Sequence, residues 1–256
     1  MAAAFRSVVL VSVLAGLVPP AALQAQRRPQ RPPEGGPGFL FHAPRVTFGV
    51  RGGFNLRREG SSIYGLFTDT LTLRKSDFNA FSIAGDLGVI IAGPVELVLS
   101  GGYTTTSAPS EFRNWVDQND LPITQRTMLS TVPLTLAARW NFASRGRQIG
   151  RFVWIPSRLI PYVGAGGGMV WYSLTQTGSF VDFVDLSIFQ DELRSDGWTT
   201  LALVMAGADY SLGKRVFVNA DVRYLWANGE LRRDFSFDDG MDLSGMQFSV
   251  GLHVRI

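Results

Sequence analysis

Few residues in this chain could carry chemistry. It has no cysteine and only two histidines, His42 and His253, which excludes thiol catalysis, cysteine zinc sites and a disulfide framework. A Ser–His–acid arrangement needs its three groups within hydrogen-bond reach. His42 precedes the patterned part of the sequence, and His253 sits beside Arg255 near the C-terminus, where it reads as a satisfied interior residue. Two acidic groups, Asp182, Asp185, Asp191 and Glu192, and Asp234, Asp238, Asp239 and Asp242, lack calcium-loop spacing and read as solvated loops. Gly164, Gly166 and Gly168 have neither the lysine nor the following helix of a phosphate cradle. No cofactor, metal site or enzymatic activity is expected. Lys+Arg 24 against Asp+Glu 21 gives +3, too even for a nucleic-acid partner, which needs a concentrated basic face. What remains is a set of ionisable residues at alternate positions within apolar segments: Arg45, Arg51, Asp86, Glu96, Arg139, Asp209, Asp221, Arg223, His253 and Arg255. Five arginines against four carboxylates nearly cancel, as a buried ion-pair network requires.

The elements that position these residues are legible from their period. In Met246–Ile256 the apolar set is Met246, Phe248, Val250, Leu252, Val254 and Ile256, and Gln247, Ser249, Gly251, His253 and Arg255 take the other face. Spacing of two is that of a strand with two unlike faces. The segments 45–55, 81–91, 95–104, 128–142, 159–172, 198–212 and 214–226 behave alike, although Leu201, Leu203 and Met205 blur the polar face of one and Pro133 predicts a bulge or local irregularity in another. Connections alternate between tight turns, at Ala92-Gly93-Pro94 and Gly213, and long loops at 105–127, 173–197 and 227–245. The 143–158 link is long for its place, and a hairpin there or in the oily 173–197 loop would make ten strands. The pattern predicts an all-β, eight-stranded antiparallel up-and-down barrel over 45–256.

Period alone does not say which face points inward, but the aromatic residues do. Phe54, Phe81, Tyr103, Trp171, Trp198, Tyr224, Trp226 and Phe248 fall at one end of the apolar face, and Trp140, Phe142 and Tyr210 at the other. Two belts separated by aliphatic residues suit the two boundaries of a bilayer, so the barrel is expected to be transmembrane, its apolar face toward lipid. The polar face then fills a narrow lumen, where glycines leave room for the long arginine side chains. Ahead of the barrel, Arg6, the apolar run from Val8 to Val18 and the small residues up to Ala25 read as a signal peptide over 1–25. Residues 26–44, rich in Pro, Gly and Arg, read as a flexible leader.

The stretches FGVRGGFNL (48–56), PYVGAGGGMVWY (161–172) and QFSVGLHVRI (247–256) resemble the small outer-membrane β-barrel families of Gram-negative bacteria, the OmpA-like, OmpX-like and OmpW-like barrels. The resemblance implies export through the inner membrane and residence in the cell outer membrane as a monomer. It also implies contact with outer-membrane lipids, and recognition by the barrel assembly machinery through Phe248, Val250, Leu252, Val254 and Ile256. A non-enzymatic structural or surface-interaction role, with an extracellular ligand or surface partner met through the long loops, is the expectation. The alternatives are a small pore for small or apolar solutes and a lipid-modifying enzyme.

Overall fold

The computed structural model describes residues 38–256, apart from 59, 183, 184, 186, 232 and 236–239. The expected signal peptide, 1–25, and the leader as far as residue 37 lie outside the described residues. In chain order the elements are β1 (Val46–Arg57), α1 (Ser62–Thr70), a 3-10 turn (Lys75–Phe78), β2 (Ala80–Ala92), β3 (Val95–Val116), β4 (Pro122–Asn141), β5 (Gly146–Ile149), β6 (Val153–Pro156), β7 (Leu159–Val181), β8 (Ile188–Ser211), β9 (Val216–Gly229), β10 (Met241–Asp242) and β11 (Gly245–Arg255). Eight of these close into a ring, β1-β2-β3-β4-β7-β8-β9-β11, with every pairing antiparallel. The ring shuts where β11 meets β1, from Thr47↔Arg255 to Arg57↔Gly245. The 143–158 link does contain a hairpin, β5–β6, but it forms a separate two-stranded sheet, so the barrel has eight strands and not ten.

Near the short turns the alternation has the sense that the sequence implies. Phe48, Ile83, Leu99, Leu136, Val250 and Leu252 point outward and are exposed, while Thr47, Asp86, Ser100, Thr135 and Asn219 are buried within. Such a continuous apolar band is unfavourable in water, and a bilayer supplies the partner it lacks: this is a transmembrane β-barrel. Among the described residues no helix is long and apolar enough to cross a membrane.

Beyond the first aromatic belt the outward face turns polar and the interior becomes mixed, with Ser110, Gln125, Thr127, Gln176 and Ser195 buried beside apolar residues. The strands β3, β4, β7 and β8 run for 22, 20, 23 and 24 residues, where about 9–11 tilted residues cross a bilayer. The spans 105–127 and 173–197, expected as loops, are therefore largely the outer halves of two long hairpins. There Thr105, Ser107, Glu111, Arg113 and Arg126 point outward into solvent, and Ala108, Leu129 and Leu174 point inward and are buried. Leu201, Leu203 and Met205, which blur the polar face of their strand, belong to this apolar interior.

The chamber is filled by the connection between β1 and β2. Ile63, Tyr64 and Phe67 of α1 are buried, with Leu71, Leu73 and Phe78 following. The Tyr64 and Phe78 rings meet edge-on at 4.9 Å and those of Phe67 and Phe235 at 6.3 Å. The Tyr64 hydroxyl donates to the carbonyl of Asp242 at 3.0 Å. A nine-residue helix is marginal in water on its own, so burial of its apolar face is what keeps α1 helical. At the tip of the β7–β8 hairpin the Phe180 and Phe189 rings stack at 6.0 Å; Phe183, Val184 and Leu186 lie outside the described residues.

Two local features follow from single residues. Pairing between β3 and β4 lapses after Gly101↔Leu134 and resumes at Thr104↔Thr131 in the same register. Pro133 has no N–H to give, so it opens the ladder without making a bulge. Strand β9 joins β8 only from Leu201↔Ala227, which leaves the outer part of β8 paired on one side among the described residues. Two backbone N–H groups there, of Glu192 and Arg194, donate at 2.8 Å to the side chains of Asp191 and Asp234. An edge whose donors are taken by carboxylates is a poor template for another strand.

Candidate functional site

The candidate site is the lumen at the level of the apolar band. Arg51, Asp86, Glu96, Arg139, Asp209, Asp221, Arg223, His253 and Arg255 all project into it, and none is more than 5% exposed. Strand parity puts them there: in β11, Ser249, Gly251, His253 and Arg255 are buried while their neighbours face out. Parity also selects Arg45, but that residue precedes β1 at the rim and is exposed, so it is not part of the network. Its place is taken by Arg145, from the 143–158 link, which bonds Glu96.

The charges form two connected groups. In the first, Arg51 Nε donates to Asp86 at 2.9 Å and its Nη1 to Ser249 at 3.2 Å. Arg223 Nη2 lies 2.8 Å from Asp221 and 3.9 Å from Asp86. Ser100 donates to Asp86 at 2.5 Å, and Ser249 donates to Asp221. In the second, Arg139 Nη2 reaches both oxygens of Asp209 at 3.1 and 3.2 Å, its Nη1 lies 3.5 Å from Glu96, and its guanidinium covers the Tyr162 ring at 3.5 Å. Thr47 donates to Glu96 at 2.9 Å.

Tyr162 and Asn219 join the groups. The amide of Asn219 donates to Asp209 at 2.6 Å and to the Tyr162 oxygen at 2.8 Å, and the Tyr162 hydroxyl donates to Asp221 at 3.3 Å. Neither residue stands out by charge. The signal that finds them is parity, since Tyr162 shares the inward row with Gly164, and Asn219 that with Asp221. An ion taken from water costs several kcal/mol unless attraction and hydrogen bonds compensate it. Here each carboxylate has at least one arginine and one neutral donor, so the lumen is filled by a nearly balanced lattice that spans the ring.

His253 sits apart from this bonding. Its ring packs on Phe217 at 5.2 Å between centroids, and Nε2 is 3.7 Å from Asp86, with no hydrogen-bond partner. Gly49 leaves the space this ring fills, and Gly88 does the same for Glu96. Gly166 and Gly168 serve otherwise, because a Cβ there would overlap the carbonyl oxygens of Leu136 and Leu134. That row admits close approach of β4 to β7 and not, as the sequence suggests, long arginines. The acidic loop residues are spent locally, Asp185 accepting from the Ser187 N–H at 2.9 Å and Asp191 from that of Glu192; Asp238 and Asp239 lie outside the described residues.

Both ends of the lumen are covered. At the short-turn end, Arg255 donates to Ser211 at 3.0 Å and lies over Phe217 at 4.5 Å, with the Trp154 ring 5.9 Å away. Leu40 and Trp154 exchange backbone hydrogen bonds at 2.9 and 2.8 Å, so the end of the expected leader is held against β6. At the other end lies the apolar chamber with α1. Between lattice and chamber is a void of about 70 Å³, floored by Arg51 and Arg223 and roofed by Val170, Leu201 and Leu203, with room for a few waters.

Outside, the aromatic residues occur in rows. Phe54 is flanked by Phe81 and Phe248, Trp171 faces Trp198 and Tyr103 faces Ile83, while on β9 the Tyr224 and Trp226 rings meet each other at 4.6 Å. Trp140, Phe142 and Tyr210 mark the short-turn end. Phe248, Val250, Leu252, Val254 and Ile256 form one exposed apolar line on β11.

No described protein family matches the sequence, and no curated protein matches it. Solved structures do. The outer membrane protein OprG from Pseudomonas aeruginosa is 13% identical, with 85% of this chain and 99% of that one aligned at a TM-score of 0.48. Neisserial surface protein A is 13% identical over 87% and 100%, at 0.42. The N-terminal β-barrel domain of Pseudomonas aeruginosa OprF is 16% identical over 84% and 100%, at 0.35. At these identities and scores no functional property passes from those proteins to this one.

Proposed function

We propose that this chain is a secreted, non-enzymatic outer-membrane protein whose lumen is structural and whose long hairpins present a surface to extracellular partners. The observation that carries the reading is closure: a lattice of buried ion pairs crosses the lumen, with Arg145 and Trp154 beneath it and the apolar core around α1 above. A lattice in which each carboxylate is already paired with arginine resists the entry of a solute, which would have to replace those partners in a low-dielectric space. Residues 1–25 direct export, and the apolar line on β11 from Phe248 to Ile256 is offered to the assembly machinery. The barrel then stands in lipid as a monomer, its short turns in the periplasm.

Planar-bilayer recording tests closure. The wild-type protein is expected to give no stepwise conductance; reproducible open steps that change in Arg139→Ala or Glu96→Ala protein overturn the reading in favour of a small pore. For the membrane assignment, the mature chain should need an amphiphile to stay soluble and should migrate differently on gels before and after boiling.

A further inference from the structure

The β5–β6 hairpin carries an apolar face that is left uncovered among the described residues. Its register, Arg147↔Ile155 and Ile149↔Val153, sets these four side chains on one face of the small sheet, since residues directly opposite in an antiparallel pair point the same way. Trp154 belongs to the other face. There it is buried and lines a small cavity with Thr47, Asp209, Phe217 and Arg255 at the mouth of the lumen. Leu40 bridges Trp154 in the antiparallel sense, so its neighbours Phe39 and Phe41 share the face of Val153 and Ile155. The Phe39 and Phe41 rings meet edge-on at 5.8 Å. Phe41 is 64% exposed, and Ile149, Ile155 and, at the turn, Phe152 are exposed as well. Together they present on the order of 400 Å² of apolar side chain, the size at which a patch on a water-facing surface marks an interface.

Because Trp154 points into the lumen mouth, this face is turned the opposite way, out of the barrel and away from the lipid that girdles the ring. Charge says what would cover it. Residues 38–45 and 142–160 hold five arginines, Arg45, Arg145, Arg147, Arg151 and Arg158, and neither Asp nor Glu. Arg145 is spent on Glu96, and Arg158 donates to the Tyr210 hydroxyl. Arg147, on the apolar face, and Arg151, beside Phe152, are exposed and, among the described residues, without an ion pair. A second copy of the chain packed through this face would set a cationic rim against the same rim. Residues 26–37 add Arg27, Arg28 and Arg31 against Glu34 and hold no apolar side chain larger than proline, so they match the face in neither charge nor apolar surface.

We propose that this face is a docking surface for an acidic periplasmic protein, which sets an apolar centre against Phe41, Phe152 and Ile155 and carboxylates against Arg147 and Arg151. An apolar centre within a polar rim is the usual anatomy of such contacts, and complementary rim charges set partner choice and association rate. A contact of this area is a transient one. The proposal rests on the membrane reading above, which puts the short turns in the periplasm.

Photo-crosslinking in cells that produce the full chain tests it, with a benzoylphenylalanine crosslinker in place of Phe41 or of Phe152. Both positions are expected to give the same protein adduct, through a segment of the partner rich in Asp or Glu. In protein carrying Arg147→Glu and Arg151→Glu, two exposed changes that leave the barrel folded, the yield should fall roughly fivefold or more, as reversal of two rim pairs implies; Arg147→Lys with Arg151→Lys should retain it. The crosslinked segment, made as a synthetic peptide, should bind the detergent-solubilised mature chain in fluorescence anisotropy, and exchanging its carboxylates for lysine should restore binding to the Glu variant. Adducts with lipid alone or with a second copy, no adduct, or a yield indifferent to charge reversal overturns the proposal. Gel mobility before and after boiling, and cleavage at Arg151 by trypsin in lysed but not in intact cells, report the membrane reading separately from the docking face.

Discussion

Replacing Arg139 by methionine keeps the length and apolar stem of the side chain and removes its charge. Asp209 would then retain the Asn219 amide at 2.6 Å but lose both bonds from Arg139, at 3.1 and 3.2 Å, while remaining 4% exposed. Glu96 is less affected, because Thr47 and Arg145 still hold it. Breaking a buried pair from one side costs about 3–5 kcal/mol, chiefly the cost of the charge left behind, so Arg139→Met and Asp209→Leu should each destabilise the barrel by that amount. The double variant removes the orphan as well and should cost less than either single change. Urea unfolding of the protein reconstituted in lipid vesicles, followed by tryptophan fluorescence and gel mobility, gives the four corners of the cycle. Additive losses, or single losses under about 1 kcal/mol, would refute the claim that the lattice is dry and mutually compensated.

Other consequences are open to simpler measurements. Gly168→Ala places a methyl group into the carbonyl oxygen of Leu134 and should cost roughly 1–3 kcal/mol or more; unchanged thermal stability in detergent would show that β4 and β7 can separate freely. Phe67→Ala, at a residue 3% exposed, should loosen the outer core by about 3–5 kcal/mol. Trypsin should then cut at the exposed Arg58 and Arg74 while the membrane-embedded ladder stays protected; simultaneous loss of both regions would refute their independence. Trp154→Ala should speed hydrogen exchange at Leu40, and unaltered exchange there would show that the Leu40–Trp154 pairing does not depend on the indole.

The eight-stranded ring and its inward charges could be read from the sequence because a side-chain period of two, sustained over short apolar segments, has few other solutions. The outer halves of β3, β4, β7 and β8 could not. In Thr105–Glu111 and Thr124–Leu129 burial still alternates, but polar residues stand on both faces, Ser110, Gln125 and Thr127 within and Thr105, Ser107 and Arg126 without, so residues taken as marks of a loop belong to strands. The α1 segment was hidden for a related reason. Its nine residues hold too little pattern to declare a helix, and its conformation is fixed by a chamber assembled from distant residues such as Leu129, Leu174 and Phe235. Arg45 and Arg145 exchanged roles because parity says which way a residue points but not whether its strand has begun, and because a link that folds back beneath the ring leaves no periodic trace. Asn219 is legible as a polar-face residue beside Asp221, but neither it nor Tyr162 carries the charge that marks a member of the network.

The polar outward face of the long hairpins also acts as an anchor against withdrawal. To slide back toward the short-turn side, the hairpins would have to carry Glu111, Arg113 and Arg126 into hydrocarbon while tearing Leu129 and Leu174 away from α1. Charged groups at the bilayer midplane cost about 2–4 kcal/mol each for arginine, and the core would be lost at the same time. Insertion of this barrel is thus held in one direction by a knot of apolar side chains that can tighten only after the hairpins have crossed.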